Sequence, residues 1–281
     1  MSGKLYVVAT PIGNLADFSF RAVEVLKQVD LIAAEDTRHA RLLLQHYGIN
    51  KPLVSLHQHN EDKASQNLVD RMLAGESIAL VSDAGTPLLS DPGLPLVQLA
   101  KQQSIDVSPI PGACALIAAL SASGMALSRF SFEGFLPRSS SARKSFFQEK
   151  LNDTSTWAFY ESSHRIQAAL EDMLMIFPPE HQIVIAREIT KLHETIVKGS
   201  LANLLLRIQN EENMRKGEFV VIVDGITIAE ENSNISDEEM RILSLLLKQC
   251  SIKTAVALAV EITGQRKKLL YQAALSLQAP T

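Results

Sequence analysis

Short apolar runs alternate with helically spaced apolar positions through residues 1–111. The runs predict strands at Leu5–Ala9, Leu31–Ala34, Pro52–Ser55, 77–82 and Asp106–Pro109. Apolar residues three and four apart predict helices between these strands, over Phe20–Val29, Ala40–Leu44, Ala64–Ala74 and from residue 93 onward. Strands and helices that alternate in this way form parallel sheets with right-handed crossovers, so residues 1–111 are predicted to form a parallel α/β domain.

The pattern changes twice further along the chain. Residues 112–228 contain apolar runs at 130–135, 156–161, 182–187 and 218–223 with helix patterns between them, which predicts a second α/β domain. A polar linker at Glu230–Asn234 then leads to Ser236-Asp237-Glu238-Glu239, a capping box that marks a helix start. Residues 229–281 are therefore predicted to form a linker and a small C-terminal all-α module.

Four loops of unusual composition follow predicted strands, at 10–15, 35–38, 82–93 and 111–115. Loop 82–93 alone contains two glycines, two prolines and two aspartates. Because the carboxyl ends of parallel strands meet at one sheet edge, where α/β folds bind small molecules, these loops predict a ligand site. The alternative is an ordinary loop in which Ser90 or Asp91 caps the next helix and Pro92 is its first residue.

Composition excludes several classes of protein and of site. The 281 residues have a net charge of −4, which argues against a protein coated in nucleic acid. No apolar run is long enough to span a bilayer, and no signal peptide precedes the first strand, so we expect a cytoplasmic protein without a membrane partner. Its only cysteines, Cys114 and Cys250, are expected to be small core residues. We expect no metal site, since His57 and His59 lie near His46 without completing a ligand pattern.

The spacing of the glycines limits the classes of ligand that this site is expected to bind. The loop after the first strand has a single glycine, Gly13, and lacks the spacing of a dinucleotide-binding fingerprint, and no phosphate-binding P-loop occurs in the chain. A ligand without polyphosphate is therefore favoured. A nucleoside-like cofactor held by backbone groups fits better, and S-adenosylmethionine is the most common such molecule.

Several motifs together resemble one family. They are Thr10-Pro11-Ile12-Gly13-Asn14-Leu15, Glu35-Asp36-Thr37-Arg38, Ser82-Asp83-Ala84-Gly85-Thr86-Pro87, Pro111-Gly112-Ala113, Gly134-Phe135-Leu136-Pro137-Arg138, Tyr160-Glu161-Ser162-Ser163-His164-Arg165, Arg187-Glu188-Ile189-Thr190-Lys191 and Gly217-Glu218-Phe219. In this order the set resembles the ribosomal RNA small subunit methyltransferase I group of the tetrapyrrole-methylase-like superfamily. Ser163 stands where the family usually has proline, and His193 where an aromatic residue is more common.

The resemblance implies a fold, a reaction and a cofactor site. It implies two α/β domains with a cleft between them, and S-adenosylmethionine-dependent 2′-O-methylation of a cytidine ribose in small-subunit (16S) rRNA. Carried over by motif, the expected cofactor-binding residues are Pro11, Asp83, Ala84, Gly85, Thr86, Pro87, Leu89, Ser90, Pro111, Gly112, Ala113, Cys114, Ala115 and Tyr160. Proteins of this shape commonly pair through their second domain, so a homodimer is expected.

Transfer to a hydroxyl calls for a base, because a neutral hydroxyl is a poor nucleophile. The candidate catalytic residues are Glu35, Asp36, Glu188 and Lys191. A lysine aids deprotonation if burial lowers its pKa, or stabilises the alkoxide as it forms. Two structural alternatives stay open at this point, an ion pair between Arg187 and Glu188 and a contact of Glu35 with Arg38.

RNA contacts are predicted for basic residues in several segments. Residues 138–144 read as a basic, polar loop that could contact phosphates, and the alternative is a solvated surface loop. The C-terminal module contains a Gly264 turn followed by basic residues, which resembles a helix-turn-helix element for docking RNA or a domain used only for packing. The predicted RNA-binding residues are Arg38, Arg138, Arg143, Lys144, Arg165, Arg187, Arg266, Lys267 and Lys268.

Other functions are weighed against this one. A tetrapyrrole-type methylase of a small molecule would share the fold, but it needs neither the basic 138–144 segment nor the helical module. A third possibility is a non-catalytic S-adenosylmethionine sensor or an RNA-binding module. The single tryptophan, few aromatic residues and net acidity argue against a general RNA-binding module. The expected partner is small-subunit rRNA or the assembled small ribosomal subunit.

Overall fold

A parallel sheet of five strands forms the first half of the fold, in the spatial order β3-β2-β4-β1-β5. Its strands are β1 (Lys4–Val8), β2 (Leu31–Ala34), β3 (Leu53–Ser55), β4 (Ile78–Val81) and β5 (Asp106–Ile110). The connecting helices are α1 (Phe20–Gln28), α2 (Thr37–His46), α3 (Glu61–Leu73) and α4 (Leu94–Gln102). Every residue of β2 and β4 is buried, as expected for strands covered by helices on both faces. All neighbouring strands run parallel, which confirms the prediction for this region.

A second sheet of five strands is mixed, in the order β6-β7-β10-β8-β9. Its strands are β6 (Phe130–Phe135), β7 (Thr156–Ser162), β8 (Gln182–Arg187), β9 (Thr195–Ser200) and β10 (Glu218–Val223). The helices α5 (Ala115–Ala122), α6 (Ser140–Lys150), α7 (Ile166–Leu174) and α8 (Leu201–Asn210) accompany it. Only β6 and β7 pair in parallel, and β10 lies antiparallel to both of its neighbours.

The expectation of four strands in this region was wrong by one, because β9 was not predicted. Its sequence, TIVKGS, has only two strongly apolar residues, and its side chains are mostly half-buried at the sheet edge. Its register with β8 is set by backbone pairing from Gln182 with Ser200 to Arg187 with Thr195, which an apolar pattern does not reveal.

Separate apolar clusters hold the two sheets to their helices. One cluster around Leu26, Ile32 and Ala79 and another around Leu68, Met72 and Leu80 cover opposite faces of the first sheet. The largest cluster packs Trp157, Phe159 and other residues of the second sheet against α6, α7 and α8. Helix α5 packs on the other face of that sheet, through Leu116 and Leu120.

The chain divides into two compact units, Met1–Ile226 and Thr227–Thr281. The computed structural model describes residues 3–226 and 235–278, so the predicted linker at Glu230–Asn234 lies outside the described residues. The second unit contains α9 (Asp237–Leu247), α10 (Ile252–Thr263) and α11 (Lys267–Gln278) around a small apolar core. The predicted capping box at Ser236 and Glu239 is present with both of its hydrogen bonds, so the predicted helix start is confirmed.

Across both described ranges, none of the helices has the length and apolar character needed to cross a bilayer.

Candidate active site

A cleft of about 390 Å³ lies within the first unit, where loops of both sheets meet. Loops from β1, β2, β4 and β5 contribute one wall, and residues of β6, β7, β10 and the segment after β8 contribute the other. Its lining residues are Ile12, Glu35, Asp83, Ala84, Gly85, Thr86, Leu89, Ser90, Asp91, Cys114, Ala115, Phe135, Tyr160, Glu161, Ser162, Ile189, Lys191, Glu218, Phe219 and Val220. The size is that of a pocket for a small organic ligand.

The cleft brings together many of the residues predicted to hold a cofactor. Those in its lining are Asp83, Ala84, Gly85, Thr86, Leu89, Ser90, Cys114, Ala115 and Tyr160. The others, Pro11, Pro87, Pro111, Gly112 and Ala113, do not line it. Some of these support the wall, because Ala113 accepts a hydrogen bond from the Thr86 hydroxyl at 3.1 Å.

Loop 82–93 has an unusual backbone for a simple connection. Gly85, Leu88 and Ser90 have φ angles of +82°, +75° and +71°, in the left-handed region that non-glycine residues rarely adopt. The Thr10 and Gly85 backbones exchange two hydrogen bonds, at 2.8 and 3.1 Å, which ties this loop to the end of β1. Such conformations persist when the surrounding structure imposes them, and they cluster at ligand sites.

The alternative cap for the following helix was wrong. Helix α4 begins after Gly93, not after Ser90 or Asp91, and its early proline is Pro95. The Gly93 N–H donates to the Glu61 carboxylate at 2.9 Å, so a side chain from α3 satisfies the helix start. Asp91 is therefore not used as a cap and lines the cleft instead.

Asp36 and Arg38 lie at the edge of the first sheet. Asp36 accepts three hydrogen bonds from the Arg38 side chain, the shortest at 2.6 Å, and these bonds hold the pKa of its exposed carboxyl well below the usual range. Arg38 is therefore held by Asp36, and the suggested contact with Glu35 was wrong. A carboxylate with so low a pKa is a weak base, which counts against Asp36 as the catalytic group.

Three other carboxyl groups in the cleft have raised pKa values. Burial is the main cause for Glu35, and the nearby charge of Asp83 adds to it. Burial also raises the pKa of Asp91 to about 6, with a further contribution from Glu35. Glu161 is fully buried on β7, which raises its pKa, although the Ser162 N–H and the Arg165 guanidinium oppose that effect. The cleft thus has an acidic wall made of Glu35 and Asp91, and Glu161 lies on the other wall.

Lys191 enters the cleft from the opposite side. Its ammonium group donates to the Glu188 and Glu218 carboxylates, both at 2.8 Å. Burial works against its charge, but these two hydrogen bonds outweigh burial and raise the pKa of Lys191. Of the two roles considered for this lysine, the one that needs a lowered pKa is therefore not supported, and Lys191 stays protonated at neutral pH.

Glu188 supports Lys191 from a strained position. Its φ is +51°, and Thr190 nearby has a φ of +67°. The Glu188 carboxylate also accepts the Glu218 N–H at 3.0 Å, which fixes it against β10. Glu188 therefore pairs with Lys191, and no ion pair joins it to Arg187 within the described ranges, so that alternative was wrong.

Tyr160 connects the cleft to the start of α5. Its hydroxyl accepts the Leu116 N–H at 3.2 Å, and its ring packs against Phe132 and Phe135 with centroid distances of 4.8 and 5.7 Å. Burial raises the pKa of the phenol, so it remains neutral and acts as a fixed wall.

The basic segment 138–144 differs from its prediction. Residues 140–150 form α6 rather than a loop, and Arg143 is buried with its guanidinium on Asp172 at 2.6 and 2.9 Å. Arg143 also donates to the carbonyls of Pro137 and Arg138, so the prediction that Arg143 contacts RNA phosphate was wrong. Arg138 remains exposed, while Lys144 lies 3.6 Å from Asp172.

Arg165 and Arg187 also point inward. Arg165 donates to the carbonyls of Leu136 and Pro137 at 2.6 and 2.9 Å and lies 3.3 Å from Glu161. Arg187 is only 6% exposed and donates to the Lys216 carbonyl at 3.2 Å. Arg165 therefore orders the loop after β6, and Arg187 lines a second cavity.

The basic residues of the helical unit are exposed. Arg266 lies between α10 and α11, after Gly264 with its φ of +72°, and Lys267 and Lys268 are the first two residues of α11. Elsewhere in the described ranges both cysteines are free, and no group of acidic, histidine and cysteine side chains could hold a metal ion.

Sequence reasoning missed Asp91, Glu161, Glu218 and Phe135 as cleft residues. Asp91 was considered only as a helix cap, and the others were part of family motifs without an assigned role. The signal that could have identified Phe135, Glu161 and Glu218 is their position at the ends of β6, β7 and β10.

Comparison with known proteins places these features in context. A model of the family "Tetrapyrrole (Corrin/Porphyrin) Methylases" matches residues 4–205, and one described as "RsmI C-terminal HTH domain" matches residues 233–278. Among solved structures, the methyltransferase CobJ has a TM-score of 0.58 at 18% identity, covering 80% of this chain and 95% of its own. The uroporphyrin-III C-methyltransferase of Thermus thermophilus, complexed with S-adenosylhomocysteine, has a TM-score of 0.54 at 15% identity, with 80% and 99% covered.

Curated relatives are much more similar. Ribosomal RNA small subunit methyltransferase I of Haemophilus influenzae is 49% identical, covering 98% of each chain. The protein of the same name from Pseudomonas aeruginosa is 50% identical, covering 99% of this chain and 98% of its own. With both of its units matched and the two-sheet cleft in place, this chain belongs to the ribosomal RNA small subunit methyltransferase I family of tetrapyrrole-methylase-like enzymes.

Proposed function

We propose that this protein transfers a methyl group from S-adenosylmethionine to the 2′-hydroxyl of a cytidine in small-subunit (16S) rRNA. The relatives at 49–50% identity over nearly the whole chain support this substrate class. The observation that carries the chemistry is the cleft itself, where an acidic wall and a protonated lysine line the same space.

The cleft suits a cationic cofactor. Small residues such as Ala84, Gly85 and Ala115 leave room at one wall, and Ile12, Leu89 and Val220 supply apolar surface. Burying the carboxyl groups of Glu35 and Asp91 without a partner is costly, as their raised pKa values indicate. S-adenosylmethionine, when bound, supplies a methyl group already activated on a positively charged sulfonium. That charge offsets the burial of these carboxylates, so the residues present fit this cofactor.

Lys191 is proposed as the catalytic residue that stabilises the developing alkoxide. Its ammonium group is held by Glu188 and Glu218, so its position in the cleft is fixed before substrate arrives. A positive charge placed in advance near a developing negative charge lowers the barrier without reorganisation. Glu188, whose pKa is lowered despite partial burial, serves to position Lys191 and not as the base.

Asp91 is proposed as the general base. A base is most effective when its pKa lies near the operating pH, and burial raises the pKa of Asp91 to about 6. Two of the residues predicted from the sequence do not suit the role of base, because Asp36 is held by Arg38 and Lys191 is protonated. Glu35 contributes in another way, since its charge helps to raise the pKa of Asp91.

RNA contacts are proposed for residues of each unit. Phe135 lines the cleft and is 56% exposed, so its ring is free to stack on an unpaired base. The exposed Arg38 and Arg138 and the half-buried Lys144 are proposed to contact phosphates. The exposed Arg266, Lys267 and Lys268 of the helical unit are proposed to do the same. Stacking and phosphate contacts together are what recognition of a single-stranded segment requires.

Three finer points rest on the family resemblance. We infer that the protein acts in the cytoplasm, because its relatives carry the name of an enzyme of ribosomal RNA. We also infer a homodimer, which sedimentation equilibrium tests directly. The substrate is rRNA or the assembled small subunit, and methyl transfer to each in parallel reactions distinguishes them.

The experiment that tests the function uses the purified full-length protein. Titration calorimetry with S-adenosylmethionine should show binding at one site per chain, and labelled methyl should pass to unmodified small subunits or 16S rRNA. Nucleoside mass spectrometry should then find 2′-O-methylcytidine. Methyl on a base, or labelling of a tetrapyrrole with none on RNA, would favour the alternative small-molecule methylase. That alternative has support from the description of the family matched at residues 4–205 and from structural neighbours at 15–18% identity.

A further inference from the structure

A second cavity, of about 520 Å³, lies beside the segment that carries Lys191. Its lining residues are Arg187, Leu192, His193, Glu194, Thr195, Asn213 and Lys216. Arg187 ends β8 and Thr195 begins β9, and the other residues come from the turn between these strands and from the segment before β10. The proposed mechanism uses none of these side chains.

Arg187 is the distinctive group in this cavity. Arg187 is only 6% exposed, yet within the described residues its guanidinium makes a single hydrogen bond, from Nη1 to the Lys216 carbonyl at 3.2 Å. Its buried Nε–H finds no acceptor within residues 3–226 and 235–278. A buried guanidinium with an unmet donor is costly, and an oxyanion is the partner that matches its planar set of donors.

The rest of the lining favours an anion. Lys216 adds a second positive charge, and the Asn213 amide adds a neutral donor. The Thr195 hydroxyl already donates to the His193 carbonyl at 3.3 Å, so it is not counted among the donors. Glu194 is the one carboxylate in the lining, and one of its oxygens already accepts the Thr190 N–H at 2.6 Å. Lys216 pairs with Glu212 at 2.7 Å, but both side chains are more than 60% exposed, so a phosphate can displace that weak contact.

The cavity is close to the cleft along the chain. Arg187 and Lys191 are four residues apart, so their Cα atoms are at most about 14 Å from each other. One faces the second cavity and the other lines the cleft. A single RNA strand can therefore place a ribose at Lys191 and one of its phosphates at Arg187.

We propose that this second cavity, which we call the Arg187 pocket, binds a backbone phosphate of the RNA substrate next to the nucleotide being methylated. This inference rests on the proposed function. In this proposal Arg187 contacts the phosphate from inside a pocket and not from an exposed basic surface. Asn213 and Lys216 contact the same phosphate.

An isosteric change of charge tests the pocket. Asn213 is exposed, so Asn213→Asp keeps the shape of the side chain and places a negative charge where the phosphate would lie. The KM for RNA should rise about 10-fold, and the slope of log K against log salt should become less steep by about 0.7, the loss expected for one phosphate contact on a single strand. The affinity for S-adenosylmethionine, measured by calorimetry, should not change.

A matched control is Asn67→Asp, which makes the same change at an exposed position of α3 outside both cavities. It should leave the RNA affinity and the salt slope as in the unmodified protein. Arg187→Gln tests the buried donor itself, with thermal unfolding as the check on folding. It should weaken RNA binding and flatten the salt slope as Asn213→Asp does.

The outcomes separate the two proposals. If the unmodified protein transfers no methyl to RNA, the proposed function is wrong. If it does, but Asn213→Asp and Asn67→Asp give the same KM and salt slope, the phosphate pocket is wrong while the function stands. A shift in sedimentation for Asn213→Asp without a change in RNA binding would overturn the inference too, because the pocket would then be a contact between two copies of the chain.

Discussion

Gly13 and Lys191 come together from opposite walls of the cleft, so closely that a Cβ atom at position 13 would lie 2.4 Å from Cγ of Lys191. The two residues are far apart in sequence, and the loop after β1 leaves the space through which the lysine side chain passes. The absence of a side chain at position 13 therefore sets the path of the proposed catalytic ammonium group.

Replacing Gly13 with alanine should misplace Lys191. Because the added methyl group would also lie 3.0 Å from the Thr190 hydroxyl, the lysine cannot simply shift toward that side. A displacement near 1 Å costs about 10- to 100-fold in kcat, and steady-state methyl transfer to RNA measures it. Gly48→Ala is the control, since a Cβ there meets nothing within 4 Å. It should lower stability by about 1 kcal/mol through its left-handed backbone and leave kcat unchanged. Equal kcat values for the two variants would contradict the account.

Removing the charge of Lys191 should affect catalysis more than binding. Lys191→Met keeps the length of the aliphatic chain but removes the ammonium group, so kcat should fall about 100- to 1000-fold. The dissociation constant for S-adenosylmethionine, from calorimetry, should change far less. Lys101→Met, at an exposed position of α4, is the matched control and should behave as the unmodified protein. A kcat for Lys191→Met within a few-fold of the control would remove Lys191 from the mechanism.

Asp91→Asn should stabilise the protein and inactivate it. The folded pKa of about 6 lies above the ordinary value of 3.8, so the folded state binds this proton more tightly and stability falls as pH rises from about 4 to about 6. Above pH 6, Asp91→Asn avoids the cost of burying a charged carboxylate, because the asparagine side chain is neutral. After allowing for the part of the carboxyl group that water reaches, we expect a gain of about 1–2 kcal/mol in the free energy of unfolding at pH 7.5.

The same variant should lose the rise in kcat that ionisation of Asp91 produces with increasing pH. Denaturant unfolding at pH 4 and pH 7.5 measures the stability change, which should be small at the lower pH. A gain that is equal at both pH values would show that burial of the charge is not its cause. Full activity of Asp91→Asn would exclude Asp91 as the base.

A substitution at Arg143 should lower stability, whereas a substitution at Arg138 should weaken RNA binding. The side chains of Arg143 and Asp172 are only 6% and 10% exposed, so Arg143→Met leaves a buried carboxylate without its main partner. The free energy of unfolding should drop by about 3–5 kcal/mol. Arg138→Ala, at an exposed position, should change stability by less than about 0.5 kcal/mol and weaken RNA binding. Thermal or denaturant unfolding together with RNA titration checks both, and the reverse pattern would contradict the structure.

Much of the fold was predictable because its signals are local. The strands β2 and β4 follow from runs of apolar residues, and the capped start of α9 follows from Ser236 with Glu239. Likewise, the loops that meet at the cleft were identified because each follows a buried strand of a parallel sheet. Edge strand β9 was missed since it is short of apolar residues.

The partners of charged side chains were not predictable, because they depend on contacts between distant segments. Arg143 lies in a segment that is basic in sequence. It is buried because it contacts Asp172 of α7, which lies 29 residues further along the chain. Lys191 similarly meets Glu218, 27 residues away, and this contact, together with that of Glu188, raises a pKa that burial lowers.

The most direct test is mass spectrometry of 16S rRNA from cells that lack this protein and carry either the unmodified chain or Lys191→Met. The account predicts that one cytidine loses its ribose methyl group in the deletion strain and regains it only with the unmodified chain. A cytidine methylated equally in all three strains, or restored in full by Lys191→Met, would contradict it.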